Sequence, residues 1–255
     1  MTESKADPDF RLLAAILSMT AGSMDVIGFL ALGGLFSAHI TGNIAVLAAH
    51  YVTGGFSQIG PLLSVPVFVI VLGCVTLLCG SADQPSDRIR RTLLIVHAVL
   101  LAICSGVGIV LGPFSDPDRA SAVLVGMLAV VAMATQNALV KIGLKDAPST
   151  AAMTTNTTQL VVDLATLVLA RGTPDVLARC RRRRDMIYPC LGAFVAGCAI
   201  GAILQTYFGL RALAFPAGLA ILAIVIDEVV CRRDATESRT LGARMTRHGI
   251  CVSKT

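Results

Sequence analysis

Six apolar stretches, near residues 11–34, 60–80, 93–112, 121–140, 187–207 and 210–230, each reach the length an α-helix needs to cross a bilayer. That length is about 20 residues for a hydrocarbon core roughly 30 Å thick. The stretches show no alternation of period two. They therefore read as helices and not as barrel strands, because a spanning helix satisfies its own backbone where no water can. Only 15% of the chain is charged, 55% is hydrophobic and the mean hydropathy is +0.77, which leaves no room for a soluble domain of useful size. The fold class that follows is an all-α membrane protein with about six transmembrane helices.

The N-terminus, MTESKADPDFRLLAAILSM, has a mixed-charge lead and no small-residue cleavage site, so the first helix is expected to be retained. The eight cysteines fall at 74, 79, 104, 180, 190, 198, 231 and 251, with no metal-ligand or Cys-x-x-Cys spacing. They read as small packing residues, and no metal or cofactor is expected. The net charge of +5 is concentrated partly in Arg181, Arg182, Arg183 and Arg184. With hydrophobic segments on both sides and no aromatic platform, this run reads as membrane anchoring and not as a nucleic-acid surface.

One stretch does not fit a plain bundle. SAHITGNIAVLAAH, residues 37–50, places Ser37, His39, Thr41, Gly42 and Asn43 before an apolar piece, 43–54, too short to cross. A second short piece lies at 156–170. If both crossed, eight helices would alternate and the loops carrying Arg88, Arg90, Arg91, Lys141, Lys145 and Arg211 would all face outward. If both dip in and return, only Arg119 and Arg211 face outward among 21 basic residues. The positive-inside rule favours the re-entrant arrangement, with both termini cytoplasmic. Tyr188 and Tyr207 bracket one span at about 28 Å of helix rise, as interfacial aromatics do. Against this, 156–170 is nearly long enough to cross when tilted.

The odd stretch has an echo. Thr154, Thr155, Asn156 and Leu160 follow Thr41, Gly42, Asn43 and Leu47 by 113 positions, and Asp25 in AGSMDVIGF stands opposite Asn137 in MATQNALV. Three spans per half is an odd number, so the second half enters from the opposite face and the repeat is inverted. The chain then divides into a first membrane repeat, 1–115, a second, 116–232, and a cytoplasmic tail, 233–255, expected to be disordered. Each repeat holds one short broken or re-entrant helix.

Broken backbone at membrane depth is tolerated only where it lines a cavity or is buried by protein. Thr41 or Asn43 can cap the short helix, Gly42 lets backbone approach closely, and a helix N-terminus suits an anion or a polar group. Thr154, Thr155 and Asn156 repeat the pattern, with a hydroxyl in place of the glycine. Asp25 is the costliest residue in the chain, at about 2.5–3.5 kcal/mol for a helix centre, and it reads as a proton carrier or a cation partner, with a hydrogen-bonded packing role as the alternative. Gln136 and Asn137 are placed at the same depth, either lining the same cavity or hydrogen-bonded between helices. His39 is the histidine kept as a site candidate, since His39, His50 and His97 show no metal or catalytic spacing. Asp227 and Glu228 read as interfacial charges. Ala193-xxx-Gly197-xxx-Gly201 and Cys104-xxx-Gly108-xxx-Gly112 read as faces for close helix packing. The candidate substrate-binding set is Asp25, His39, Thr41, Gly42, Asn43, Gln136, Asn137, Thr154, Thr155 and Asn156, with no catalytic residue.

The segment AGSMDVIGFLALGGLFSAHITGNIAVLAAH resembles the N-terminal signature of the YoaK-like family of uncharacterised multi-pass bacterial inner-membrane proteins. Gly22, Asp25, Phe29, Leu32-Gly33-Gly34-x-Phe36 and Thr41-Gly42-Asn43 carry the likeness, and Gln136-Asn137 with Thr154-Thr155 resembles its second-half counterpart. Thr155 departs from the more usual glycine. The resemblance implies about six spans in the inner membrane and no established substrate, although members are sometimes labelled permeases. The expected function is transport of a small polar or anionic solute, with the bilayer and that solute as partners and no nucleic acid. Homo-oligomerisation is left open. The alternatives are a membrane-embedded enzyme or lipid-handling protein using Asp25 and His39, or a structural or regulatory membrane subunit.

Overall fold

The computed structural model describes residues 8–53, 59–79, 87–144 and 147–247. Among them the regular structure is helical: α1 (Pro8–Ala31), α2 (Ile40–Thr53), α3 (Ile59–Cys79), α4 (Asp87–Leu111), α5 (Ala120–Gly143), α6 (Met153–Val168), α7 (Pro174–Phe208), a 3-10 turn (Gly209–Leu213) and α8 (Ala214–Arg247). Five helical stretches are long and apolar enough to cross a membrane, and the last, Pro174–Cys231, contains α7, the 3-10 turn and α8 up to Cys231. Gly209 separates these two helices with φ 57°, a left-handed conformation that glycine adopts without strain. The segment expected as a disordered tail continues α8 as far as Arg247; residues 248–255 lie outside the described residues.

Side-chain contacts fix the direction of each long helix. Gln136 reaches the Leu17 carbonyl while Gly126 packs on Leu35, so α5 runs against α1. His97 meets the Ala132 carbonyl and Cys104 the Val125 carbonyl, so α4 also runs against α5. Arg90 binds Asp227 at one end and Gly108 and Gly112 meet Leu213 and Leu210 at the other, so α8 runs against α4. Met19 lies against Gly197 and Ser23 against Gly201, so α7 runs with α1. α3 begins beside Asn43 through Ser64 and ends with Val75 and Cys79 packed on the Leu13, Leu17 and Leu139 cluster, against α1. Accordingly α1, α4 and α7 point one way and α3, α5 and α8 the other. The short helix α2 joins α1 to α3 at one end of the bundle, and α6 joins α5 to α7 at the opposite end.

α1 and α5 are mostly buried, whereas α3 is apolar yet almost wholly exposed. Val69, Ile70, Leu77 and Leu78 point outward from it. Apolar side chains on the outside and small residues inside are the economy of a bundle in lipid, where close packing and not water exclusion holds helices together. The two ladders of small residues lie where that requires. Gly197 and Gly201 seat α7 on α1, and Gly108 and Gly112 seat α4 on the 3-10 turn.

Candidate functional site

The polar site forms because α1 is stopped abruptly. Gly33 and Gly34 take φ of 68° and 87°, where side-chain-bearing residues are strained, and the amides of Leu32 and Gly34 return to the carbonyls of Gly28 and Phe29 at 2.9 and 3.0 Å. The chain folds back so closely that a Cβ on Gly28 would stand 2.7 Å from the Leu35 carbonyl oxygen. Residues 37–39 are thereby laid against Asp25, two turns before the end of α1.

Asp25 is 3% exposed, and its carboxylate is filled by donors from this connection. Oδ1 accepts the Ala38 amide at 2.6 Å and the Ser37 hydroxyl at 3.5 Å, and Oδ2 pairs with His39 Nδ1. A buried carboxylate without such partners would be prohibitively costly. The His39 ring stands edge-on to Phe194 of α7, with centroids 5.4 Å apart, and its side chain is 33% exposed. One flank of the imidazole is thus buried and the other reachable. His39 lies in the connection between α1 and α2, outside both helices, and its hydrogen bond to Asp25 raises its pKa above 6.5 against the lowering effect of burial.

Asn43 holds the same connection from the other side. Its Oδ1 accepts the Phe36 amide at 2.8 Å, and its Nδ2 donates to the Phe36 carbonyl and to Ser64 Oγ, both at 2.7 Å. Thr41-Gly42-Asn43 was expected to be the break, but α2 already begins at Ile40 and the break is 32–39. Asn43 therefore clasps the preceding turn and does not cap the helix. Gly42 approaches the Phe36 ring, where a Cβ would lie 3.0 Å from Cδ2, and Thr41 is exposed.

The second half repeats part of this geometry. Asn156 Nδ2 donates to the Ser149 carbonyl at 2.6 Å, seven residues back, as Asn43 does to Phe36. Gln136 Nε2 reaches both the Leu17 carbonyl and Thr150 Oγ1, at 3.0 and 3.1 Å. It is Gln136, and not Asn137, that meets the connection before α6; Asn137 donates to Met133 one turn back in its own helix. Thr154 and Thr155 are exposed, and Ala152 precedes α6 with no side-chain cap.

The ten candidate residues do not meet in one cavity. α5 runs against α1, so Gln136 comes to Leu17, about 12 Å of helix rise from Asp25. Two clusters result, one around Asp25, His39 and Asn43, the other around Gln136 and Asn156. Ser37, marked in the sequence as part of the polar interruption but outside the candidate set, joins the site, and residues not anticipated include Ser64, Thr150 and Phe194. Ser64 was the most legible, as a hydroxyl between Pro61 and Pro66 in an otherwise apolar run. Asp227, expected at the interface, is 2% exposed and bonded to Arg90 at 2.6 Å, because α8 turns it toward α4. Glu228 pairs with Arg91 in a more open position, as an interfacial charge would.

Comparison with known proteins adds a family and no chemistry. No solved structure matches. A segment of 68 residues is 38% identical to the UPF0700 transmembrane protein YoaK of Bacillus subtilis strain 168, and the match spans 27% of each chain. Residues 13–226, nearly all of the helical bundle, match the family described as protein of unknown function (DUF1275), and the chain belongs to that family.

Proposed function

We propose that the protein carries a small polar or anionic solute across the bacterial inner membrane, with the Asp25–His39 pair as the gate of the solute site and no catalytic step. The observation that carries this reading is a buried carboxylate seated on a backbone amide, a hydroxyl and a reachable imidazole just before a helix start. These donors suit an external anion equally well, and the chain's own acid occupies them in the arrangement described. When Asp25 leaves, the same groups are free to accept a solute oxygen.

The architecture proposed with it is six spans in two inverted repeats. Exchanging α1 with α5, α2 with α6, α3 with α7 and α4 with α8 carries each principal helix pair onto another: α1–α7 onto α3–α5, α4–α5 onto α1–α8, and α2–α3 onto α6–α7. α4–α8 and α1–α5 map onto themselves. The matched Asn43 and Asn156 clasps support the same exchange, and inverted repeats with interrupted helices are a common transporter plan. Reporter tags after Asp83, Lys145 and Arg182 are expected to read cytoplasmic; Asp83 and Lys145 lie outside the described residues. An external tag after Asp83 removes the inverted repeat.

The functional test is a melting-temperature screen of purified protein against inorganic oxyanions and short carboxylates, followed by uptake of any stabilising anion into proteoliposomes. Binding to the folded state raises stability by mass action. A stabilising anion should lose its effect in His39→Ala and be transported only by the wild type. If no anion stabilises the protein, or if the variant responds equally, the reading fails.

A pH profile tests the latch itself. His39 has a raised folded-state pKa, so its contribution is fully present below 6.5 and is lost as pH rises through the elevated value. Wild type should lose melting temperature as pH rises above 6.5 relative to His39→Gln, which cannot titrate. Parallel profiles for the two proteins would show that the pair does not titrate as a latch.

A further inference from the structure

We propose that the groove between α1, α6 and α7 binds one anionic phospholipid, its phosphate held by Arg11 and Arg184. The groove encloses about 410 Å³ and is lined by Arg11, Leu160, Leu164, Arg184, Asp185, Tyr188 and Pro189. It lies at the end of the bundle where α1 begins and the arginine run of α7 stands.

Arg11 Nε is buried and meets no acceptor among the described residues. Arg11 also lines the groove, so the rest of its guanidinium is open to a phosphate there as a charge-assisted partner. Arg184 uses Nε and Nη2 on a single oxygen of Asp185, at 2.9 and 2.7 Å, which leaves Nη1 for a second partner. Arg11, Arg184 and Asp185 together carry a net charge of +1. Arg183 does not compete, because Asp163 of α6 takes it at 2.7 and 3.1 Å, and that pair fixes the α6 wall. Leu160 and Leu164, one turn apart on α6, form one apolar face of that wall.

The occupant is a lipid because of where the groove opens. Tyr188 is 71% exposed and stands where an interfacial aromatic belongs. Exposed Val161 borders the groove on α6, and exposed Val195, two turns beyond Tyr188 on the same face of α7, continues the apolar surface toward the bilayer interior as a path for acyl chains. The groove has room for a glycerophosphate group, and basic pockets between helices at a membrane face hold such headgroups.

The chain has no tryptophan, so Tyr188→Trp places a single reporter in the groove. In vesicles of phosphatidylcholine, brominated phosphatidylglycerol should quench this fluorescence more strongly than brominated phosphatidylcholine. Replacing Arg11 or Arg184 by glutamine in this background should weaken the preference, by about fivefold per arginine. Arg171→Gln, an exposed arginine outside the groove, should leave it unchanged. Equal quenching by the two lipids overturns the site, and so does an equal loss in Arg171→Gln, which would mean bulk charge. Inorganic phosphate at constant ionic strength should leave the preference intact; if it removes the preference, the groove takes the free ion and the lipid assignment is wrong. Should Arg11→Gln fail to fold, Arg184→Gln alone decides, and an unchanged preference in it overturns the proposal.

Discussion

Replacement of Gly197 by leucine is expected to remove the folded protein, whereas the same substitution at Gly192, on the same helix, leaves it intact. A Cβ at Gly197 would run into the Met19 carbonyl oxygen of α1, and one at Gly22 into the Phe194 carbonyl oxygen of α7. The obstacle in both cases is backbone, which cannot rotate aside as a side-chain tip can. Gly201 adds a third close approach, with its would-be Cβ 3.0 Å from Ser23 Cα. Over-packed cores typically lose about 1–3 kcal/mol, and pushing apart two helices in mutual backbone contact should exceed that range. Nothing lies within 4 Å of a Cβ built on Gly192. Detergent-solubilised variants examined by size-exclusion chromatography separate the outcomes. A monodisperse, heat-stable Gly197→Leu protein would mean that α1 and α7 are not locked at this crossing. The site depends on the same crossing, because Phe194, one turn before Cys198, is what His39 rests on.

The helices were legible because hydropathy alone requires them. The apolar runs at 60–80 and 121–140 correspond closely to α3 and α5, and a run of that length has no other stable form in lipid. α7 was legible only in part. It starts at Pro174, thirteen residues before its apolar run, because the arginine-rich segment is helical without being hydrophobic.

The site was half legible for a different reason. Asp25 and His39 could each be singled out by the cost of a polar group in an apolar chain. That they pair could not be read, because the pairing depends on the path of 32–39 and on the reversal at Gly33 and Gly34. Asn43 shows the same limit. An asparagine just ahead of an apolar run is read as a cap, yet its partners are Phe36, seven residues earlier and brought back by that reversal, and Ser64 of α3. Gln136 was placed at the depth of Asp25 by counting along its helix. Counting cannot say that antiparallel packing carries it to Leu17 instead.

Arg90→Ala is expected to destabilise the protein by about 3–5 kcal/mol, the range for breaking a buried ion pair by removing one partner. The side chains of Arg90 and Asp227 are 6% and 3% exposed, and Nε meets Oδ1 at 2.6 Å. Arg90 also contacts Asp87, Cys231 and the ring of Phe10, 5.2 Å from its guanidinium carbon. The two halves of the pair are therefore unequal. Without Arg90, Asp227 keeps a buried charge with no cation in contact among the described residues. Without Asp227, Arg90 can still turn to Asp87, which is exposed and beside it in sequence. Asp227→Ala should accordingly cost less than Arg90→Ala. The double replacement Arg90→Met with Asp227→Leu should recover most of the loss, since a well-packed apolar pair avoids both desolvation penalties. Denaturant titration of the three variants in detergent measures the order. A double variant as unstable as Arg90→Ala would mean that Arg90 acts through Phe10 and Asp87, and not through the charge it shares with α8.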